Sequence, residues 1–489
     1  MNIEVLTMNR LTTIFRPTLQ KIIIILLLLL IVNMLDSCSA LKDLPNHNMS
    51  PTLVPSATIS VHNIYYVDSN LGSDLNPGTQ SQPWRNIQRA ANIAHAGDTV
   101  IVLAGNYEER VQVTNSGKSG APITFQAKGA VTMQGFTVKA DYIAIKGFEI
   151  TNTPDDALNG IGIFVQGSDC DLEDNYVYFA TRGGILLFAA PGNYAQTSHC
   201  TVRNNRLYHD SQNGIDVRGL NNFVEGNEIW ASIQYHPNWA NPPNWVDADG
   251  IRFFGSGHVF QKNYIHDINY SDPLNVNPHI DCFQTFSDAN HEAANNIVLE
   301  QNRCDNDALA HSSGEGGAGL TIRNSAGNII IRNNLIDAFV NVFLENSNGV
   351  SILNNTFIGN TAQDPNLYPV GISINRSPNT VIKNNIFYNQ PGNIIYAKGD
   401  NQPISGRNMV YRDDGHPIDT TSTYISINDL FWGIDPLFVN PQAGDYHLQP
   451  GSPAIDAGYN LGDLVPNDFA GILRPQGKGY DLGAFEYKP

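Results

Sequence analysis

The sequence predicts an all-β chain wound as a single parallel β-solenoid, and three observations carry that prediction. From about residue 140 one phrase recurs: a polar residue, Asn, any residue, an apolar residue, then a turn and a short Gly-apolar-x-apolar strand. It reads EDNYV, RNNRL, EGNEI, QKNYI, EQNRC, RNNLI, LNNTF and KNNIF, with marker asparagines at Asn175, Asn205, Asn227, Asn263, Asn302, Asn334, Asn355 and Asn385. The intervals are 30, 22, 36, 39, 32, 21 and 30; the shortest fit one coil, and the longer ones fit the same coil with loops inserted on one side. Second, 42 glycines and frequent Asn doublets point to many tight turns. Third, the short strands alternate with period two, which builds one wall of a stacked cylinder without any helix. Gly and Asn supply the left-handed corners, and aligned asparagines can bond from coil to coil.

Taken from the N-terminus, residues 1–38 read as a targeting segment. Arg10, Arg16 and Lys21 precede the apolar run from Ile22 to Val32, which is short for a bilayer span and has the basic flank of a secretory signal. The run ends in LDSC, which resembles the bacterial lipoprotein signal; that resemblance implies a lipidated Cys38 as the first mature residue, although Asp36 departs from the pattern. The chain is therefore expected to be secreted or held at the cell surface, with Cys38 as its means of membrane attachment. Residues 39–62, with Pro, Ser and Asn, read as a flexible tether. The solenoid is expected over 63–430 and a small β module over 431–489, in a monomer. Early in the solenoid, Asp68, Asp74 and Asn76 read as turn formers rather than as a cation loop.

The flanks carry a clearer resemblance. The segment YYVDSNLGSDLNPGTQSQPWRNIQRAANIAHAGDTVIVLAGNYEERVQV, from Tyr65 to Val113, resembles the opening of secreted right-handed parallel β-helix proteins of the pectate-lyase-like superfamily, including chondroitinase B and alginate-lyase relatives. The resemblance implies a right-handed coil, with a short helix at about Trp84 to Ala94 capping the first turn. At the other end, DPLFVNPQAGDYHLQPGSPAIDAG followed by YDLGAFEY is similar to the C-terminal module of bacterial β-helix proteins labelled choice-of-anchor Q. That superfamily hosts lyases, hydrolases, epimerases and non-enzymes, so the resemblance speaks to fold more than to chemistry.

Charge narrows the partners. Forty-six acids against 28 Lys plus Arg give a net charge of −18 with no basic block, which excludes a nucleic-acid backbone as partner. An anionic substrate would need local Arg groups or a bound cation.

Aligning the coils on the strand glycine puts NGIDVRG, DGIRFFG and DCFQTF in register, so Asn213, Asp249 and Asp281 share one column and Asp247 stacks on His279. Two places after the glycine column, Asp216, Arg252 and Gln284 stack outward with Arg218 beside them, while Ile251, Phe253 and Phe283 point inward. With coils about 4.8 Å apart, Asp249 and Asp281 are expected to meet, which requires a proton, a cation or an Arg between them. The alternative is a structural ladder of carboxylates bonded to turn N–H groups. Asp247, Asp249 and Asp281 are the candidate calcium ligands; Asp249, Asp281, His279 and Arg252 are the candidate catalytic residues.

Two insertions flank this cluster. The stretch WASIQYHPNWANPPNWVD gathers Trp230, Trp239, Trp245 and Tyr235, whose rings suit the C–H faces of sugars or, equally, pack into a cluster that folds the loop down. With Asp216, Arg218 and Gln284 they form the candidate substrate-binding set. A Gly-rich stretch over 305–319 adds His311 and Glu315 as outer candidates. The His209–Asp210 and His266–Asp267 pairs recur with the phrase and read as corners. Cys170 and Cys200 occupy equivalent places on successive coils, open to a disulfide or to two stacked thiols.

The expected function is carbohydrate-active: a polysaccharide laid along the 216, 252 and 284 column. Lyase chemistry on a uronate chain needs the substrate carboxylate neutralised, by Arg252 or calcium, and a base for the C5 proton, for which His279 is the local candidate. The superfamily's lyases commonly use Lys or Arg as base, and this column has no Lys. A retaining glycoside hydrolase and a non-catalytic glycan-binding adhesin are the alternatives.

Overall fold

In a computed structural model of the chain the described residues are 62–239, 246–268, 271–275, 279–306, 317–359, 370–390, 392–398, 402–413 and 430–489. The targeting segment with Cys38, the tether up to residue 61, and Trp245, His311 and Glu315 lie outside them. No helix among the described residues is long and apolar enough to cross a membrane.

The predicted solenoid forms. Each coil contributes three short strands, and each strand pairs in parallel with its equivalent on the next coil, giving three walls. The first wall includes Gly183–Leu187, Asn213–Leu220, Asp249–Ser256, Asp281–Thr285 and Ala318–Arg323. The second includes Ile143–Lys146, Asp171–Glu173, Thr201–Arg203, Phe223–Glu225 and Val259–Gln261. The third includes Tyr176–Tyr178, Arg206–Tyr208, Glu228–Trp230, Tyr264–His266 and Arg303–Asn306. Inward Ile, Val, Leu and Phe from all three walls fill the cylinder, among them Ile251, Phe253, Phe260 and Phe283. The N-terminal helix, expected over 84–94, is the shorter Ile87–Ile93, closing the first coil through Ile87, Ala90 and Ala91.

Marker asparagines lock coil to coil. Asn175 donates both its backbone N–H and its Nδ2 to Asn205 Oδ1, each at 3.0 Å, and Nδ2 also donates to the Ile145 carbonyl at 3.0 Å. The same pattern repeats through Asn227, Asn263, Asn302, Asn334, Asn355 and Asn385 to Asn408. These buried amides satisfy backbone groups that the corners leave unpaired.

A second column sets the cross-section. A Cβ on Gly214 would stand 2.5 Å from Ile229 Cγ2, and one on Gly250 would stand 2.6 Å from Ile265 Cγ2, so each strand glycine makes room for an aliphatic side chain of the third wall. In the coil of Asp281 both partners change: Cys282 takes the glycine place, Cys304 takes the aliphatic place opposite, and a disulfide joins them with Cα atoms 6.1 Å apart. Cys170 and Cys200 are the stacked alternative, two buried free thiols with no bond between them.

The C-terminal module lies along the side of the coils rather than over their end. Its antiparallel pair Phe438–Asn440 and Asp445–Leu448 packs with Phe485 on Leu335, Ile358, Ile386 and Met409 of the third wall. The outer column of that wall changes where the module begins, from Tyr176, Arg206, Glu228, Tyr264 and Arg303 to Leu335, Thr356, Ile386 and Met409. The first Asn of each late doublet reaches the module. Asn333 Nδ2 donates to the Asn467 carbonyl at 2.6 Å, Asn354 Nδ2 to Asp481 at 2.8 Å and Asn384 Nδ2 to Tyr459 at 2.9 Å. Earlier coils carry Asp174, Asn204, Gly226, Lys262 and Gln301 at this place, so three of the four doublets of the repeated phrase fall in the coils that the module covers.

Candidate functional site

The predicted register holds: Asn213 pairs with Asp249, Asp216 with Arg252, Arg252 with Gln284, and Ile251 with Phe283. Asp247, Asp249, Arg252, His279, Asp281 and Gln284 meet at the corner that leads into the first wall. Two insertions enter this corner, and their described parts are tied together where the Tyr235 N–H donates to the Leu274 carbonyl at 3.3 Å.

The two central aspartates do not meet face to face. Asp249 Oδ1 accepts the backbone N–H of Asp281 at 3.1 Å, and Asp281 Oδ1 accepts the N–H of Ala318 at 3.2 Å and the Thr321 hydroxyl at 3.1 Å. Each carboxylate thus bonds the next coil with one oxygen, which is the structural ladder, and turns the other towards the corner. Asp249 Oδ2 accepts Arg252 Nε at 2.7 Å; Asp281 Oδ2 lies 2.8 Å from His279 Nδ1 and accepts Gln284 Nε2 at 3.0 Å. Asp247 Oδ2 accepts Arg252 Nη2 at 2.8 Å and Gln284 Nε2 at 3.3 Å. The side chains of Asp249 and Asp281 are 0% exposed, whereas His279 is 34% and Asp247 26% exposed. The expectation that Asp216, Arg252 and Gln284 stand on the outward face is corrected accordingly: Asp216 and Gln284 are buried, as are the two ladder aspartates, and His279, Asp247 and Arg252 form the accessible edge.

The electrostatics follow from this burial. Burial pushes Asp249 up from the ordinary carboxylate range, with Arg252 opposing. Burial works against the Arg252 charge, but Asp249 and Asp247 outweigh it and hold its pKa above the ordinary value. Asp281 raises His279 to about 9 against its own desolvation, so the imidazole is cationic near neutrality and donates from Nδ1.

Asp247, Asp249 and His279 lie close enough to share one ion, and Asp281 is not in that group. The donor set does not suit calcium. Arg252 already bonds both carboxylates, both Asp249 oxygens are engaged, and an imidazole nitrogen stands where a hard cation prefers oxygen. Of the two charges that the sequence leaves open here, calcium or Arg252, the guanidinium is the one that bonds Asp247 and Asp249.

The remaining candidates divide. Arg218 grips Asp216 with two bonds, at 3.0 and 2.7 Å, and lies between the rings of Phe188 and Phe254, lining the same wall one coil before Arg252. Trp230 is not a loop residue. It ends a third-wall strand, stacked on His266 at 5.9 Å with Tyr208 at 5.1 Å, as one rung of an outer aromatic ladder. Trp239 is buried beneath the Arg182 guanidinium at 4.1 Å and meets Tyr235 edge-on, which is the packing cluster rather than a free sugar platform. His209 and Asp267 hold left-handed corners at φ 54° and 56°, as read from sequence. Asp68 and Asp74 accept turn N–H groups of Asn70 and Leu71 and of Arg85 and Asn86.

Comparison with known proteins agrees with this architecture. Residues 65–262 match the family model described as Pel9A-like, right handed beta helix region; the match takes in Asp216, Arg218, Asp247, Asp249 and Arg252 and stops before His279 and Asp281. The cylinder is a right-handed parallel β-helix. Over the matched residues the resemblance to the pectate-lyase-like superfamily holds. An uncharacterized protein of Bacillus subtilis (strain 168), YwoF, is 35% identical over 131 residues, 23% of this chain and 28% of that protein, so the match spans little more than a quarter of its length. The complex of XylC with xylose superposes with a TM-score of 0.55 at 14% identity, covering 87% of this chain and 98% of that one. The A-module of the Azotobacter vinelandii mannuronan C-5 epimerase AlgE6 gives 0.51 at 15% identity, covering 76% and 99%. At such identities the likeness speaks for the fold alone.

Proposed function

We propose that the chain is an extracellular carbohydrate-active β-helix protein that cleaves a uronate-containing polysaccharide by β-elimination. The observation that carries this reading is the accessible edge of the corner, where a neutralised Arg252 stands beside His279, itself held by buried Asp281. Arg252 exchanges its bond to the more exposed Asp247 for one to the substrate carboxylate, with Arg218 one coil away, and so lowers the acidity barrier at C5. Neutral His279 takes the C5 proton, the electron pair forms the C4–C5 double bond, the C4–O bond breaks, and the departing oxygen is protonated by water. Asp281 and Asp249 position these groups and do not touch the sugar. The match to the Pel9A-like model over the Arg-bearing coils supports the same choice.

Glycoside hydrolysis by a retaining pair requires two carboxylates that reach the anomeric centre. Asp249 and Asp281 are buried and already bonded, so that reading has less support. Purified protein is assayed on polygalacturonate, alginate and neutral glycans from pH 6 to 10. Absorbance of an unsaturated product is expected, rising through an apparent pKa near 9 and insensitive to chelator. New reducing ends without that absorbance would replace the lyase reading with hydrolysis. Binding without turnover would replace it with an adhesin.

A further inference from the structure

Away from this corner, the second wall carries a cavity of about 400 Å³ over the coils of Ala144, Asp171 and Thr201, within the range of roughly 300–1,000 Å³ typical of small-ligand sites. We propose that it binds a neutral saccharide unit and so anchors a glycan at a distance from the candidate catalytic corner.

The repeat itself marks the place. One corner column is left-handed in nine successive coils, and its last six positions are Asn221, Gly257, Asn296, Asn328, Gly349 and Asn379, the residues that adopt this conformation at least cost. The first three positions are Tyr142, Asp169 and His199, each at φ 57°, and these three line the cavity. A tyrosine in this region is a costly choice, and such strain is kept where the side chain is used. The wall column beside that corner runs Thr124, Ala144, Asp171 and Thr201; its three short members floor the hollow, and Asp171 lines it as the one charged member.

The chemistry selects the ligand. Lys146 Nζ lies 3.1 Å from Asp171 Oδ2 and 2.7 Å from Glu173 Oε2, and Arg203 lies 3.3 and 3.0 Å from the same two carboxylates. Lys146 and Arg203 are therefore answered, and Lys118, the third cation of the lining, is matched in number by Asp169, so the wall carries no net positive charge to capture an acid sugar. Paired charges and threonine hydroxyls instead offer donors and acceptors side by side, as vicinal sugar hydroxyls require, and the Tyr142 ring at the lip offers a face for C–H groups.

The full chain is titrated calorimetrically with xylopentaose and cellopentaose, with trigalacturonate as the acidic comparator. At least one neutral pentaose binds. Tyr142→Asn, which installs the residue the column uses elsewhere, weakens that binding at least tenfold while Tm holds or rises and turnover on soluble polymer is unchanged. Thr201→Trp, which fills the hollow, has the same effect on binding. Failure of both pentaoses to bind, binding that survives both substitutions, or preference for trigalacturonate at this site overturns the proposal.

Discussion

At Asp281 one carboxylate oxygen holds two groups of the following coil while the other faces His279 and Gln284, so ladder and site share a single side chain. An Asn there keeps an oxygen for Ala318 and Thr321 but presents an N–H₂ to His279. Asp281→Asn is therefore expected to cost about 1 kcal/mol of stability at the alkaline end and more below pH 6.5, to lower turnover at least tenfold and to move the His279 titration down from about 9. Unchanged turnover with an unchanged pH profile would sink the positioning role. Linkage has a definite sign here. His279 is raised from 6.5 to about 9 on folding, so the stability its pair contributes is full below pH 6.5 and is lost as pH rises through 9. Thermal melts of wild type and Asp281→Asn across that window should converge towards the alkaline end. At Asn334 the ladder has no second duty: Asn334→Ala removes bonds to Leu299, Asn302 and Asn355 and is expected to cost on the order of 2 to 4 kcal/mol with turnover of the folded protein intact.

Among the described elements, the strand Asp281–Thr285 is cross-linked covalently to the strand Arg303–Asn306 of its own coil. Its coil carries long insertions on both flanks, and the disulfide closes 22 residues within it, which is worth about 3 kcal/mol. Cys304→Ser should lose roughly that amount. The double change Cys282→Gly with Cys304→Ile reproduces the pair that neighbouring coils use, so it should recover most of the loss in urea unfolding; a double variant no more stable than the single one would show that the coil needs the bond and not the shape. This pairing was legible in the sequence. EQNRC has Cys where the other phrases have Val, Leu, Ile or Phe, and DCFQTF has Cys where its neighbours have Gly. Reading the cysteines by their mutual spacing drew attention to Cys170 and Cys200 instead. Register, the Asn ladder and the corner cluster were readable because period-two strands and fixed columns leave little freedom. The burial of Asp249 and Asp281 was not, because it depends on which way each carboxylate turns at the corner, towards the next coil and under Arg252, His279 and Gln284, and a column of residue types does not set that direction. Trp230 was misassigned to the loop for a related reason, since the strand ends one residue later than the phrase suggests.

At the scale of the molecule, cylinder and C-terminal module form one body through Arg474, whose guanidinium is fully buried with Glu486 at 2.7 Å and also reaches the Gly483 carbonyl and Asn333 of the cylinder. Removing one partner of such a pair leaves a buried charge uncompensated, at a cost of about 3 to 5 kcal/mol. Arg474→Leu is expected to expose the 431–489 region to limited proteolysis and to lower Tm. A variant with wild-type Tm and protease resistance would show that apolar packing on Leu335, Ile386 and Met409 holds the module without it.

The lateral seat of that module bears on how the stack yields to force. A bare solenoid peels, because each coil touches only its neighbours and the last one can leave alone. Here residues 457–483 are bonded to corners at Gln301, Asn333, Asn354, Asn384 and Arg407. Tension entering through this segment is spread along five coils as shear, and they give way together or not at all.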